Sequence, residues 1–327
     1  HLSDFKTWSQ KEHATDWVLL ADNLGACCSI DETSLCNEVY TIVSNKAGHG
    51  KKGSVIAIVK GTKANVVSAV LKKIPESERE KVTEITMDFS DSMFSIAKQC
   101  FPKATIVIDC FHIVQRLCEG LEEMRLRFKR LAVTESGKEA AAFAQNEDRK
   151  AKQRAYYRKK HPRNKKERRG RKRIRKQTYK PTLLANGETK VEMLTRSRNM
   201  LAQSGDKWSD SKKERARILF GQYPQMKEAY SLICKVRAIF KSHITRKEAK
   251  EKLHEWYKEV NACTLREIKA ARNAIKGKEE YVLNYFLNRS TNAAAESLNS
   301  KIKGFRAQLH GIADIPFFLY RVCTIFG

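Results

Sequence analysis

The stretch Ser29-Ile30-Asp31-Glu32-Thr33 ends one apolar, β-prone run in a carboxylate, and Ile85-Thr86-Met87-Asp88-Phe89 ends a second in the same way. A third stretch, Asn292-Ala293-Ala294-Ala295-Glu296-Ser297-Leu298-Asn299, sets a lone Glu in an Ala-rich helical turn. With a period of two for strands and 3.6 for helices, these three acids can converge at one edge of a sheet. Working outward, residues 26–34 read as a buried strand. Residues 38–44 and 54–60 are two more, joined by the loop 45–53, whose glycines and polar residues suit a hairpin. Residues 62–74 carry Val66, Val67, Val70, Leu71 and Ile74 at helical spacing, and Pro75 ends the run. A fourth strand follows at 82–87, then a helix at 90–100 with Ser90 or Asp91 as its N-cap, a break at Pro102 and a fifth strand at 104–108.

The order β-β-β-α-β-α-β is that of a ribonuclease-H-like α/β fold, a mixed sheet whose first strand is central and lies beside the fourth. Beyond Asp109 only helical periodicity remains, in segments at 111–131, 140–160, 191–200, 212–220, 225–240, 246–262, 265–276, 280–286 and 292–309. The expected organisation is a helical lead-in over 1–25 and the first part of the core over 26–110. A large all-helical insertion follows over 111–289, containing a basic segment at 149–180, and a C-terminal core helix over 290–327 carries the third acid.

The chain has 327 residues, 41% of them hydrophobic, enough for one large domain or two ordinary ones with real cores. No run of eighteen apolar residues occurs and the start lacks a secretory pattern, so an intracellular protein with no membrane partner is expected. The chain starts at His1 without Met and stops at Ile325-Phe326-Gly327, which suggests a piece of a longer protein. Nine cysteines never form a Cys-x-x-Cys pair, and reduced buried thiols explain them better than zinc or disulfides. The net charge of +27 is concentrated: residues 149–180 hold 18 Lys or Arg against one acid, Glu167. A polyanion is the expected partner, with nucleic acid the default because Lys and Arg bind phosphate by releasing counterions. Arg154, Lys159, Lys160, Lys165, Lys166, Arg168, Arg169, Arg171, Lys172 and Arg173 are the candidate contacts there, with Tyr156, Tyr157 and Tyr179 as planar groups among them. Lys301, Lys303 and Arg306 add basic positions after the third acid.

Phosphodiester chemistry asks for charge neutralisation more than covalent help, and two divalent ions supply it from carboxylate ligands. Carboxylates at the ends of neighbouring strands, about 4.8 Å apart, suit such a pair, and Asp31 and Asp88 fit. Each alone reads equally as a turn or helix cap, Asp88 above all because Ser90 and Asp91 follow it. Glu296 has Asn292 four residues before it and Asn299 three after, on one helical face. The bland reading is that Asn292 caps the helix and Glu296 enjoys its positive end. Asp109 ends the fifth strand, and His112, one turn into the next helix, can lie beside it; both are secondary candidates, as are Asn292 and Asn299. Glu32 points to the opposite face from Asp31, which argues for a different role.

These residues resemble, in order and spacing, the catalytic part of bacterial ISL3-family insertion-sequence transposases. The resemblance rests on Ile30 to Ser34, Thr86 to Ser90, Ile106 to Val114 with its Asp-x-Phe-His signature, and Asn292 to Asn299 running on to Gly311. It implies a DDE transposase that nicks double-stranded DNA at element ends and joins the freed 3′ hydroxyl to target DNA. It further implies two Mg²⁺ ions, with Mn²⁺ as a substitute, on Asp31, Asp88 and Glu296, assembly as a homo-oligomer on DNA, and a bacterial, cytoplasmic, nucleoid-associated location. Strand four is where this fold puts the second acid, which favours Asp88. Asp109 and His112 would then be a flanking pair similar to the Cys and His after the second acid in related families. Members usually begin with a cysteine-containing zinc segment and a helix-turn-helix, and neither pattern occurs in this sequence. A nuclease or junction resolvase of the same fold would share the acids without needing so long an insertion. A non-catalytic nucleic-acid-binding module would have no use for them.

Overall fold

The computed structural model describes residues 2–35, 37–162, 177–309 and 314–327. Within it the chain divides into two compact units, one made of His1–Arg116, Lys235–Ala262 and Ala271–Gly327, the other of Leu117–Cys234 and Cys263–Ala270.

The first unit is built on a six-stranded mixed sheet of β1 (Trp17–Leu19), β2 (Cys27–Leu35), β3 (Glu38–Asn45), β4 (Val55–Lys60), β5 (Glu84–Met87) and β6 (Thr105–Ile108). The spatial order is β1-β4-β3-β2-β5-β6. Neighbours from β1 to β2 are antiparallel, and β2 with β5 and β5 with β6 are parallel. The strand carrying Asp31 is therefore internal, between β3 and β5. Parallel pairs need crossovers, supplied by α2 (Ala64–Leu71) and α3 (Glu76–Arg79) before β5 and by α4 (Asp91–Cys100) before β6. The lead-in, expected to be helical, contains the one-turn α1 (Leu2–Lys6) but also contributes β1, whose three residues are too few to show a strand period.

β4 is buried at five consecutive positions, Val55 to Val59, as a strand covered on both faces must be. One covering layer comes from the far end of the chain, α14 (Ala293–Gln308) and α15 (Ile315–Phe326). Leu298 and Ile302 of α14 and Phe318, Leu319, Val322 and Phe326 of α15 pack with Val18, Leu35, Tyr40, Ile42, Val55 and Ile58 of the sheet. Burying Leu298 alone stabilises this docking by about 1.5–3 kcal/mol. The β3–β4 turn adds a polar tie, because Lys301 Nζ donates to Gly50 O at 2.8 Å and to His49 O at 3.4 Å. Gly50 has φ 68, and a Cβ there would meet Lys301 Nζ at 2.9 Å.

Helices make up the rest. They are α5 (Cys110–Lys160), α6 (Lys190–Arg196), α7 (Arg198–Ala202), α8 (Asp210–Gln222), α9 (Pro224–Lys241), α10 (Arg246–Ala262), α11 (Arg266–Gly277), α12 (Glu279–Leu283) and α13 (Tyr285–Asn288). Among the described residues no strand follows β6. The segments 111–131 and 140–160 belong to one continuous helix of 51 residues, α5. In the second unit Met193, Leu194, Met200, Leu201, Leu219, Met226 and Ile233 form a buried apolar set. Its polar anchor is Glu188, which accepts from Arg196 at 2.9 Å and from Arg215 at 2.8 Å.

Candidate active site

The strand register does most of the positioning. Ile30 pairs with Met87, and Met87 with Ile108, so Asp31, Asp88 and Asp109 are each one residue beyond a common rung across β2, β5 and β6. Three carboxylates on adjacent strands at about 4.8 Å spacing repel one another in a poorly hydrated setting. Asp31 is 8% exposed and Asp109 3%. Burial, then the charge of Asp88, push the Asp31 carboxyl up to about 6, against the opposing effects of the Glu32 N–H, His112 and Asn299. Glu32 is half-buried on the other side of the strand, and burial and then the Asp88 charge raise it as well.

Each aspartate has its own partners. Asp31 accepts from Glu32 N at 2.8 Å and from Asn299 Nδ2 at 2.6 Å. Asp88 Oδ1 lies 2.8 Å from His112 Nε2 and accepts from Asn292 Nδ2 at 3.0 Å. Asp109 accepts from two backbone amides, Phe111 N at 2.8 Å and Asn292 N at 2.7 Å. His112 therefore pairs with Asp88, not with the Asp109 beside it in sequence. Burial lowers the His112 pKa, but its bond to Asp88 and the charges of Asp88, Asp109 and Asp31 outweigh burial and raise it overall.

The capping alternatives are resolved by these contacts. Ser90 caps α4, accepting from Met93 N at 3.4 Å, which leaves the Asp88 side chain to His112 and Asn292, both distant in sequence. Asn292 occupies the N-cap position of α14 yet makes no side-chain cap bond. An N-cap is worth about 1 kcal/mol, and the Asn292 carboxamide instead donates to Asp88 and to Ile30 O at 3.3 Å. Residues four before and three after Glu296 thus bond Asp88 and Asp31, and Glu296, on the same side of α14, is itself exposed.

The turn that delivers α14 rests on a network that sequence reading missed. Buried Glu84 at the head of β5 accepts from Lys46 Nζ at 3.0 Å, from Ser290 Oγ and from Asn288 Nδ2. Burial alone would raise Glu84, but these three donors hold its carboxyl below the ordinary range. Arg289, with φ 58, donates to Phe240 O and Ser242 O, each at 2.8 Å. The one signal in the sequence was an acid opening an otherwise apolar strand.

Of the basic candidates, Lys301 is engaged by the β3–β4 turn, Lys303 is exposed and Arg306 is half-buried. Arg154 lies 3.8 Å from Glu147 on α5, and Lys159 and Lys160 are exposed at its end. Tyr156 and Tyr157 are exposed too, and Tyr179 donates to Glu139 at 2.6 Å. Lys165, Lys166, Arg168, Arg169, Arg171, Lys172 and Arg173 lie outside the described residues.

Among the described residues no three His, Cys, Asp or Glu side chains converge closely enough to hold a metal ion as they stand. The donor chemistry nevertheless suits a hard divalent cation. Every candidate donor from the three acids and two asparagines is an oxygen, Asp31 and Asp88 repel each other, and the Oδ1 atoms of Asn292 and Asn299 are buried without a hydrogen-bond partner. Among the described residues no helix is long and apolar enough to cross a membrane. No curated protein and no solved structure matches the chain. A family model for DDE transposases, described as a transposase, matches residues 28–322, from the second residue of β2 into α15. That span takes in the whole acid cluster and nine-tenths of the sequence, and the chain belongs to the ISL3 family of DDE transposases.

Proposed function

We propose that this transposase cuts DNA strands at the ends of a mobile element and joins the freed 3′ hydroxyl to target DNA, with Asp31, Asp88 and Glu296 as its catalytic acids and metal ligands. The observation that carries the reading is the pair of bonds from Asn292 to Asp88 and from Asn299 to Asp31, made by residues on either side of Glu296 on one helix. The sheet order, with β2 between β3 and β5, supports a ribonuclease-H-like core formed by residues 26–110 and the C-terminal helix after 290, with 111–289 as the insertion. Asp88 is the better second acid because both oxygens of Asp109 are taken by backbone amides.

Two divalent ions, Mg²⁺ or Mn²⁺, would supply charge neutralisation, an activated water or hydroxyl, and stabilisation of the leaving oxygen. The protein's own part is to hold the acids against their mutual repulsion. Asn299 and Asn292 fix the orientation of Asp31 and Asp88, and His112 keeps a proton donor on Asp88. The DNA partner is double-stranded, met by the exposed lysines and arginines as phosphate contacts and by a homo-oligomer of the chain. We place this activity in the bacterial cytoplasm, at the nucleoid. The test is cleavage of an element-end duplex by purified protein with Mg²⁺ or Mn²⁺, against Asp31→Asn, Asp88→Asn and Glu296→Gln. Metal-dependent nicking lost in all three supports the reading, and nicking that survives Glu296→Gln removes it.

A further inference from the structure

Asn292 is fully buried and Asn299 is 5% exposed, and each side chain is only half satisfied. The Nδ2 groups are spent on Asp88 Oδ1, Ile30 O and Asp31 Oδ2, and both Oδ1 atoms are buried without a partner. A buried carbonyl oxygen left unpaired is a standing cost, and two of them on one helix beside two carboxylates call for an explanation. Packing does not give one. An asparagine kept only to hold an aspartate would be as well placed with its oxygen turned toward water, and one kept only to cap α14 would bond an amide of the first turn, which Asn292 does not.

We propose that Asn292 and Asn299 are themselves ligands of the divalent-cation site, each presenting its unpaired Oδ1 to a cation while its Nδ2 keeps its hold on an aspartate. This rests on the transposase reading above and adds two residues to its ligand set. Hard cations accept amide carbonyls alongside carboxylates, and Mg²⁺ seeks six oxygens. Three carboxylates leave two divalent ions with one net positive charge. Neutral amide oxygens then fill coordination positions without adding negative charge against the incoming phosphodiester. The same side chain can serve both roles at once because a carboxamide carries a donor and an acceptor: N–H toward a carboxylate and oxygen toward a cation.

The two possibilities for each asparagine predict opposite signs. Mn²⁺ binding by the full chain without DNA, followed by the paramagnetic resonance of free Mn²⁺ beside a thermal melt of each variant, separates them. If Oδ1 is a ligand, Asn299→Ala and Asn292→Ala each weaken Mn²⁺ at least fivefold, and Asn299→Asp, which keeps an oxygen in place, binds as tightly as wild type or more tightly. If the asparagines only occupy the aspartates, removing them frees the carboxylates, and alanine variants that bind Mn²⁺ equally or better overturn the proposal. A fold defect would weaken Asn299→Asp along with Asn299→Ala and would also overturn it. Wild-type binding that Asp31→Asn leaves unchanged would bring down the underlying metal-site reading, a different result from the loss of the asparagines alone.

Discussion

Asp31 in the first unit and Glu188 in the second are both buried carboxylates in the same strongly basic chain, and their surroundings are opposite. Arg215 first, then Arg196 and Asn186, outweigh burial at Glu188 and hold its carboxyl down at about 2. At Asp31 burial first, and then the charge of the facing Asp88, push the carboxyl up to about 6 instead. With 64 Lys and Arg in the sequence, a cation for Asp31 was available to the fold. Among the described residues, however, none of Asp31, Asp88 and Asp109 forms an ion pair with Lys or Arg, and the basic side chain that meets Asp88 is His112. An acid that serves stability is given its counter-ion by the protein, whereas the acids lined up across β2, β5 and β6 have no lysine or arginine partner among the described residues, the pattern of a site rather than of a structural ion pair.

The largest effect should come from removing that charge. Asp31→Asn or Asp88→Asn should lower strand cleavage at least about 1000-fold, roughly 4 kcal/mol of barrier. The same Asp31→Asn change should stabilise the protein in EDTA at pH 8. The sign follows from linkage: a carboxyl whose folded pKa is raised to about 6 stabilises below its ordinary 3.8 and loses that contribution as pH rises through 6. The difference is at most about 3 kcal/mol, or 1.36 kcal/mol per unit. His112, also raised, acts with the same sign at higher pH, stabilising below 6.5 and losing that contribution as pH climbs through its folded value. Melting temperature in EDTA should therefore fall from pH 5 to pH 8 in the wild type, and less steeply in Asp31→Asn. A steeper fall in the variant would mean that Asp31 is not the strained group.

Glu188→Gln should do the reverse, costing about 3 kcal/mol because it leaves Arg215 and Arg196 without their shared carboxylate. With its carboxyl held low, Glu188 contributes stability above pH 4.5 that is lost as pH falls toward 2. Amide exchange in 188–219 should therefore quicken in the variant, and cleavage chemistry at saturating metal should not change. Asp109→Asn comes next, at about 1–3 kcal/mol, since a carboxamide can satisfy only one of the two amides, Phe111 N and Asn292 N, that the carboxylate now accepts. A melting temperature unchanged by Asp109→Asn would show that those bonds are not what holds the turn before α14.

The difference between these two acids also marks how far the sequence could be read. The sheet was legible because apolar runs of strand length are bounded by loop 45–53, Pro75 and Pro102, and these local signals lead to β2–β6. Asp31 and Asp88 stood out because a carboxylate ends each of two such runs. What stayed hidden is the set of partners. His112 goes to Asp88 across 24 positions and Asn299 to Asp31 across 268, and no local period encodes such pairings. Glu84 with Lys46, Asn288 and Ser290 was invisible for the same reason, as was β1, whose three residues make a strand only by pairing with β4. The break expected within 131–140 did not occur either: Gly137 lies inside the continuous α5, where one glycine costs only about 1 kcal/mol of helix propensity.

The smallest effect should come from the region least like the acid site, the exposed end of α5. Its charges pair along the helix at most, Lys150 with Glu147 at 2.9 Å and Lys152 with Asp148 at 2.9 Å, and such surface pairs are worth little. Arg154→Gln, Lys159→Gln and Lys160→Gln together should shift stability by no more than about 0.5 kcal/mol. They should still be visible in binding, because among the described residues nothing occupies Lys159 or Lys160 as Gly50 occupies Lys301. Affinity for unrelated duplexes should fall about equally, and the slope of log K against log salt should flatten by roughly 0.9 for each phosphate no longer neutralised. Tyr156 and Tyr157, 68% and 66% exposed beside them, extend the test to unpaired bases. Replacing both by Leu should weaken single-stranded DNA more than duplex, since base stacking on an aromatic ring is worth about 1–3 kcal/mol and duplex bases are not free to stack on it. Equal weakening on both substrates would mean the rings only pack along the phosphate backbone, and an unchanged salt slope in the triple variant would mean that the DNA does not follow this part of α5 at all.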